Sequence, residues 1–204
     1  MAFDGVTIAG IVKELQEKIV GGRIYKIAQP EKDELLLTIK NNGGQVRLFM
    51  SADASLPLIN LTDKNKTSPM TAPNFCMLLR KHLQNARIVS VIQPELERIV
   101  RLELEHLNEL GDLCRKFLLI ELMGKHSNII FCDDKDMIID SIKHISGMVS
   151  SVREVLPGRT YFIPKTQEKA ELLPLAAQEI EQILCSQSIA VFKAVYTKFT
   201  GISP

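Results

Sequence analysis

Five β-type segments follow one another in the second half of the chain, with only short turns between them. They are residues 87–93, 98–106, 114–123, 128–133 and 137–142. The connections are turn-rich stretches such as PELE and GKHS. Strands that are joined by turns this short pair antiparallel with their neighbours in sequence. This half of the chain is therefore predicted to form an up-and-down antiparallel arrangement.

The first half combines strands with two helices. Apolar residues at helical spacing, from Ile8 to Ile19, predict that the first segment is a helix, which stops at Gly21-Gly22. A second helix is predicted over 72–85, with Thr71 as its cap. Between the two helices lie strand-like segments at 23–29, 34–40, 45–51 and 56–62.

The end of the chain is predicted to be helical, near 174–187 and 189–199. The order helix, strands, helix, strands, helices predicts an α+β fold, with an antiparallel sheet or sandwich flanked by helices. We divide the chain into one domain at 1–165 and a helical segment at 166–204. Because a Gly-Ile-Ser-Pro turn follows the last helix directly, we expect the chain to be part of a longer protein.

Composition limits the partners that such a chain can recruit. The net charge of the 204 residues is +1, so any site for a polyanion must be a local basic patch. The apolar runs are too short for a membrane span, and the first ten residues lack the features of a signal peptide. We therefore expect a cytoplasmic protein without membrane contact.

Signatures of catalysis, metal binding and cofactor binding are missing from the sequence. The motifs GxSxG, GxxxxGK[ST] and GxGxxG do not occur. The four histidines have no metal-ligand neighbour at helical spacing, and the four cysteines form no CxxC pair. We expect buried free thiols, no metal, no cofactor and no enzymatic activity. The cysteines are Cys76, Cys114, Cys132 and Cys185.

Two segments have the residue types that phosphate contacts use. The turn 124–127 contains Lys125 and His126, and it is either a plain hairpin turn or a backbone-phosphate contact. The serine-rich segment 141–159 contains Lys143, His144 and Arg153, and it is either a solvated loop or a second phosphate contact.

A third concentration of positive charge lies near the end of the second predicted helix. Arg80, Lys81 and Arg87 either bind an anion or only complement the helix dipole at its C-terminus. Aromatic residues make up 5% of the chain and Trp is absent. This composition argues against a protein that stacks single-stranded bases on aromatic rings.

An acid and a base, Glu97 and Arg98, stand side by side where the strand 98–106 begins. This corner is either a solvated strand end or a functional pair. Together with six other stretches in the same order, it resembles the N-terminal domain of the NFACT family. Those stretches are FDG (3–5), GGRIYKIAQP (21–30), FCMLLRKHL (75–83), ELMGKHSNIIF (121–131), IIDSIKH (138–144) and VLPGRTY (155–161).

The resemblance implies a fold and a function. The family fold resembles the N-terminal domain of formamidopyrimidine-type DNA glycosylases, a β-sandwich with flanking helices, and the segment after 174 resembles the start of a truncated helix-hairpin-helix region. Family members act in ribosome-associated quality control: they bind large ribosomal subunits that hold peptidyl-tRNA, and they recruit charged tRNA, alanyl-tRNA in bacteria, for template-free C-terminal tailing.

The family also implies site residues, which match Asp4, Glu97 and Arg98 here. They are implicated in tRNA handling, and Glu97 is one methylene longer than the family's usual Asp. Two alternatives come with the family. A DNA glycosylase would need an N-terminal proline, whereas this chain has Ala2-Phe3. A fibronectin-binding adhesin, the family's older label, would need secretion, for which we find no signal.

Overall fold

The computed structural model describes residues 3–41, 43–108, 110–164, 169–171, 174–186 and 188–203. Within these residues the chain forms nine β-strands and four α-helices. The helices are α1 (Gly5–Ile19), α2 (Asn74–Leu83), α3 (Ala177–Cys185) and α4 (Val191–Lys198). The strands are β1 (Arg23–Ala28), β2 (Glu34–Asn41), β3 (Gly44–Ser51), β4 (Leu58–Thr62), β5 (Arg87–Ile92), β6 (Ile99–Leu107), β7 (Leu113–Glu121), β8 (Asn128–Asp133) and β9 (Ile138–Ser141).

All nine strands belong to one hydrogen-bonded sheet, in the order β4-β3-β2-β1-β5-β6-β7-β8-β9. Every neighbouring pair is antiparallel. The two halves of the sheet join at β1 and β5, where Arg23 lies opposite Arg87. The predicted α+β class and the antiparallel pairing are confirmed. The strands form a single continuous sheet, and the likeness to a glycosylase sandwich stays a prediction.

Both long helices lie against the sheet through their apolar faces. The buried residues of α1 recur every three or four positions, at Ile8, Val12, Leu15 and Ile19, as an amphipathic helix requires. The helix α2 begins after Pro73, whose fixed backbone suits a helix start, and it has no side-chain cap. The prediction that Thr71 caps this helix is therefore wrong.

The last four residues of β7 and the strand β8 are buried on both faces of the sheet. Alternate residues of β7 point to opposite sides of the sheet, so Leu118 and Ile120 enter the main core while Leu119 enters a second, smaller one. Val155 and Tyr161 cover this second core. The serine-rich segment has the irregular backbone expected of a loop, while Ile145 and Val155 pack onto the outer face of the sheet.

The free thiols differ in burial more than the sequence suggested. Cys76 and Cys132 are buried, Cys114 is half-buried and Cys185 is exposed. Cys185 is the last residue of α3, a helix with no fully buried residue. The prediction of four buried thiols is therefore wrong for two of them.

The C-terminal part folds back onto the beginning of α1. The main-chain N–H of Gly5 donates to the carbonyl of Gly201 over 2.7 Å. Ala194 and Phe199 are buried. The domain boundary that we placed at 165/166 falls within 165–168, which lies outside the described residues. Within the described ranges, no helix is long and apolar enough to cross a membrane.

Candidate functional site

The corner between β5 and β6 holds Glu97 and Arg98 at the start of β6, where the sequence predicts them. Its backbone is a tight turn in which the N–H of Glu97 donates to the carbonyl of Pro94 over 3.0 Å. Glu95 adopts the left-handed region at φ 51°, which is uncommon for a residue with a Cβ. The carbonyl of Arg98 accepts from the N–H of Leu122 over 2.8 Å. The corner is therefore held by a hydrogen bond within its own turn and by one to Leu122, the residue that follows β7.

Gly5 brings the beginning of α1 against this corner. The side-chain amide of Gln93 donates to the carbonyls of both Gly5 and Glu97, each over 2.8 Å. A Cβ on Gly5 would lie 2.0 Å from the main-chain oxygen of Leu96 and 2.6 Å from the Cα of Gly201. Only glycine permits this approach, which explains the glycine of the FDG stretch.

A cleft of about 530 Å³, which we name the corner cleft, opens beside this contact. It joins three parts of the chain: the corner itself, the segment 150–164 and the C-terminal residues 200–203. Its charged and titratable lining residues are Glu95, Glu97, Arg98, His126, Arg153, Lys169 and Glu171. A cleft with this mixture of acids and bases can bind a partner that carries both phosphates and hydrogen-bond donors.

Arg98 differs from the other arginines of the chain. All nine arginines lie in the described residues, and eight of them use the guanidinium in a hydrogen bond or an ion pair. Within the described part of the chain, no hydrogen bond or ion pair engages the guanidinium of Arg98, which is half-buried in the corner cleft. Its fork of donors is therefore available for a ligand.

Glu97, which also lines the corner cleft, has a shifted pKa. Burial raises the pKa of its carboxyl group above the usual value, and the neighbouring Glu95 adds to this effect. The positive charges of Arg98 and Lys169 act in the opposite direction. A partly desolvated carboxyl group beside a guanidinium can accept hydrogen bonds from a ligand's amino or hydroxyl groups.

Asp4 has a structural role that the sequence reading missed. Its carboxylate accepts from the N–H of Thr7 over 2.8 Å and so caps α1. Hydrogen bonding from the side chain of Thr7, together with that from its backbone N–H, lowers the pKa of Asp4 below its usual value. The family resemblance implied only a role in tRNA handling for Asp4, and the cap adds a structural role. The residue also stands next to Gly5, which lines the corner cleft.

Lys125 and His126 lie in a single 3₁₀ turn, Gly124–His126, between β7 and β8. Both side chains are exposed, and His126 lines the corner cleft. Gly124 takes φ 58°, which allows the tight turn. The structure therefore brings one of these two predicted phosphate contacts to the cleft.

Arg153 lines the corner cleft, but its guanidinium already has partners. It binds both carboxylate oxygens of Glu121, whose side chain is 1% exposed, and donates to the carbonyl of Phe162. The hydroxyl of Tyr161 donates to the same carboxylate over 3.0 Å. Burial and the negative charge of Glu121 raise the pKa of Tyr161. Arg153 thus fixes the segment 150–164 to the sheet, and its contact with phosphate stays a prediction.

Lys143 and His144 lie elsewhere. The ammonium group of Lys143 donates to the carbonyl of Ala52 and stands 3.9 Å from the carboxylate of Asp33. His144 is exposed and pairs with Asp140 over 2.7 Å. Neither Lys143 nor His144 is among the described residues that line the corner cleft.

Sequence reasoning missed the contribution of the C-terminal part. Lys169, Glu171 and the residues 200–203 line the corner cleft, although they are more than 70 positions from Glu97. Nothing in the composition of these segments indicates that they belong to a binding site. The one available signal was the glycine at 201, which takes φ 85° and lies against Leu96.

The structure thus defines an antiparallel α+β domain with a candidate binding site, the corner cleft, in which the guanidinium of Arg98 is free. Comparison with known proteins gives the family of the chain. The family description "NFACT N-terminal and middle domains" matches residues 4–204. The chain belongs to the NFACT family, as the resemblance predicted.

Relatives of this chain occur in several bacteria and beyond. The Rqc2 homolog RqcH of Bacillus subtilis is 39% identical over 100% of this chain and 36% of its own length. The Rqc2 homolog RqcH of Streptococcus pneumoniae is 38% identical over 99% of the chain and 37% of its own length. The chain thus spans little more than a third of the length of these two relatives.

Solved structures agree with this assignment. The N-terminal domain of the fibronectin-binding protein PavA from Streptococcus pneumoniae superposes with a TM-score of 0.91 at 36% identity, covering 99% of this chain and 76% of that one. The fibrinogen-binding protein of Staphylococcus aureus gives a TM-score of 0.87 at 30% identity, covering 100% of this chain and 72% of that one.

Proposed function

We propose that this domain contacts tRNA at the corner cleft, as part of a ribosome quality-control factor in the cytoplasm. The observation that carries the proposal is the free guanidinium of Arg98 beside the partly desolvated Glu97. An arginine fork binds a phosphate or a base edge through two hydrogen bonds, and a neighbouring carboxyl group accepts from amino or ribose hydroxyl groups.

The wider role is supported by the relatives' names. Besides the RqcH proteins, a mouse protein named ribosome quality control complex subunit NEMF is 23% identical over 69% of this chain. In our proposal the whole protein binds large ribosomal subunits that hold peptidyl-tRNA and recruits alanyl-tRNA for template-free tailing. The peptidyl-transfer chemistry belongs to the ribosome, so the domain itself is not an enzyme.

The test uses a full-length protein that carries this domain. Arg98→Ala should abolish recruitment of tRNA to stalled large subunits and the alanine tail, while the melting temperature stays near that of the wild type. Arg159→Ala is the matched control, because Arg159 is 60% exposed and pairs with Glu154 outside the cleft. Equal tRNA recovery with both variants would exclude the corner as the contact.

The absence of catalysis has its own test. An abasic-site duplex incubated with the protein and borohydride should give neither strand cleavage nor a trapped adduct. A covalent adduct would overturn the proposal and favour the glycosylase alternative.

Fibronectin binding remains a second candidate function, because solved relatives of this fold carry fibronectin- and fibrinogen-binding names. Surface plasmon resonance with immobilised fibronectin tests it. Saturable binding that Arg98→Ala leaves intact would establish a function separate from the tRNA contact.

A further inference from the structure

A second cleft, of about 520 Å³, lies at the opposite end of β6 from the corner cleft, and we name it the basic cleft. It is formed where the C-terminus of α2 meets the junction of β1 and β5. Three cations, Arg23, Lys81 and Arg87, line it together with one carboxylate, Glu105. The net charge of the whole chain is only +1, so this positive charge is local.

The register of the sheet extends this charge beyond the cleft. Residues directly opposite each other on antiparallel strands point to the same face. Across five adjacent strands, one such row consists of Lys40, Arg23, Arg87, Glu105 and Arg115. Strands lie about 4.8 Å apart, so the row spans about 19 Å.

Glu105 orients the row and leaves it positive. Its side chain is 7% exposed and contacts Arg87 at 2.6 Å and Arg115 at 3.5 Å. The hydrogen bond from Arg87 lowers the pKa of Glu105, which keeps the carboxylate ionised. Arg115 also contacts Glu103 at 3.3 Å, yet the side chains of Arg87 and Arg115 remain more than half exposed. A buried acid that holds exposed arginines in place prepares them for an anion.

Further polar and aromatic groups surround the row. The ammonium group of Lys40 stands 3.4 Å from the centre of the Tyr25 ring, which is 50% exposed. In the basic cleft, Nδ1 of His106 lies 3.2 Å from the carbonyl of Leu107. Among the described residues, Nε2 of His106 has no hydrogen-bond partner.

We propose that the basic cleft and its row of cations bind the phosphate backbone of a folded RNA, as a contact surface separate from the corner cleft. A single phosphate group cannot use a row about 19 Å wide, whereas a chain of phosphates can. Because the cations contact phosphates and not base edges, the contact is electrostatic and independent of base sequence.

The two clefts are far enough apart to act independently. From Arg98 to Glu105 the chain is almost entirely the strand β6, and seven residues at about 3.3 Å each separate them by about 23 Å. The inference goes beyond the proposed tRNA contact and does not depend on a charged tRNA.

Salt dependence of RNA binding tests the proposal. The probe is a fluorescein-labelled RNA stem-loop, and its affinity for the 204-residue chain is measured by anisotropy at several salt concentrations. A plot of log K against log salt has a negative slope, which the double variant Arg23→Gln/Lys81→Gln should make shallower by about 1.4 to 1.8. Each lost phosphate contact removes about 0.7 to 0.9 from the magnitude of the slope. The matched control, Lys13→Gln/Lys135→Gln, removes the same charge from exposed sites and should leave the slope unchanged.

A single variant, Lys81→Glu, guards against misfolding of the double variant and should also weaken binding. In an Arg98→Ala background the double variant should give the same reduction in slope, because distant sites contribute additively. This arm separates failure at the basic cleft from failure at the corner. A slope equal to that of the lysine control, or displacement of the RNA by millimolar inorganic phosphate, would overturn the proposal.

Discussion

The guanidinium of Arg153 and the carboxylate of Glu121 form an ion pair in which the side chains are 12% and 1% exposed. Removal of one partner from such a pair leaves a buried charge without compensation. We therefore predict that Arg153→Ala lowers the free energy of unfolding by about 3–5 kcal/mol, as measured by urea denaturation. The control is Arg159→Ala, which breaks an exposed pair and should cost less than about 1 kcal/mol. Similar losses from both variants would contradict the prediction.

Two glycines of the same helix should respond in opposite ways to alanine. Gly5→Ala places a methyl group against main-chain atoms of Leu96 and Gly201. We therefore expect it to lower the free energy of unfolding by about 1–3 kcal/mol. Gly10 is exposed in the helix interior with nothing within 4 Å of an added Cβ. Gly10→Ala should therefore stabilise the protein by about 0.5–1 kcal/mol. Thermal denaturation of the two variants measures both effects, and destabilisation by Gly10→Ala would count against this account.

The cap at Asp4 makes stability depend on pH. The pKa of Asp4 is lower in the folded than in the unfolded chain, so its contribution is present above the usual pKa of 3.8 and is lost as the pH falls through the folded pKa. Asp4→Ala should cost about 1 kcal/mol at neutral pH, and Asp4→Asn much less, since asparagine also caps helices.

Asp4→Asn further separates the two roles of this residue. This variant keeps the cap and removes the charge. A loss of tRNA recruitment that already occurs in Asp4→Asn therefore points to the carboxylate itself. If Asp4→Asn and Asp4→Ala were equally unstable at pH 7, the cap would not be the source of the effect.

Glu97 should behave in the opposite way to Asp4. Burial raises its pKa in the folded chain, so the wild type loses stability relative to Glu97→Gln as the pH rises from 4.5, the usual value, through the higher folded pKa. We also expect Arg98→Ala to raise the pKa of Glu97 further and Glu95→Gln to lower it, in a carboxyl NMR titration. An unchanged Glu97 pKa in both variants would show that its neighbours do not act on it.

Local sequence signals predicted most of the fold. Short turns predicted the consecutive hairpins of β5 to β9, and the apolar spacing predicted α1. The start of α2 was misplaced because Thr71 and Pro73 are both acceptable near a helix start, and sequence alone does not rank them.

Contacts between distant parts of the chain were not predictable in this way. Glu121, the partner of Arg153, is 32 positions away, and burial on the outer face of the sheet selects it. The row of cations depends on the pairing of β1 with β5, which are not consecutive strands. Glu97 and Arg98 were identified by family resemblance, while the free guanidinium of Arg98 became visible only in the structure.

The junction between β1 and β5 also has a consequence for how fast the molecule folds. Seven of the eight strand interfaces join consecutive strands, so their loops close at little entropic cost. The remaining interface brings together Arg23 and Arg87, which are 64 positions apart. We expect each half-sheet to form early and this joint to form after the rate-limiting barrier. Substitutions at the joint should then speed unfolding and leave the refolding arm of a chevron plot unchanged.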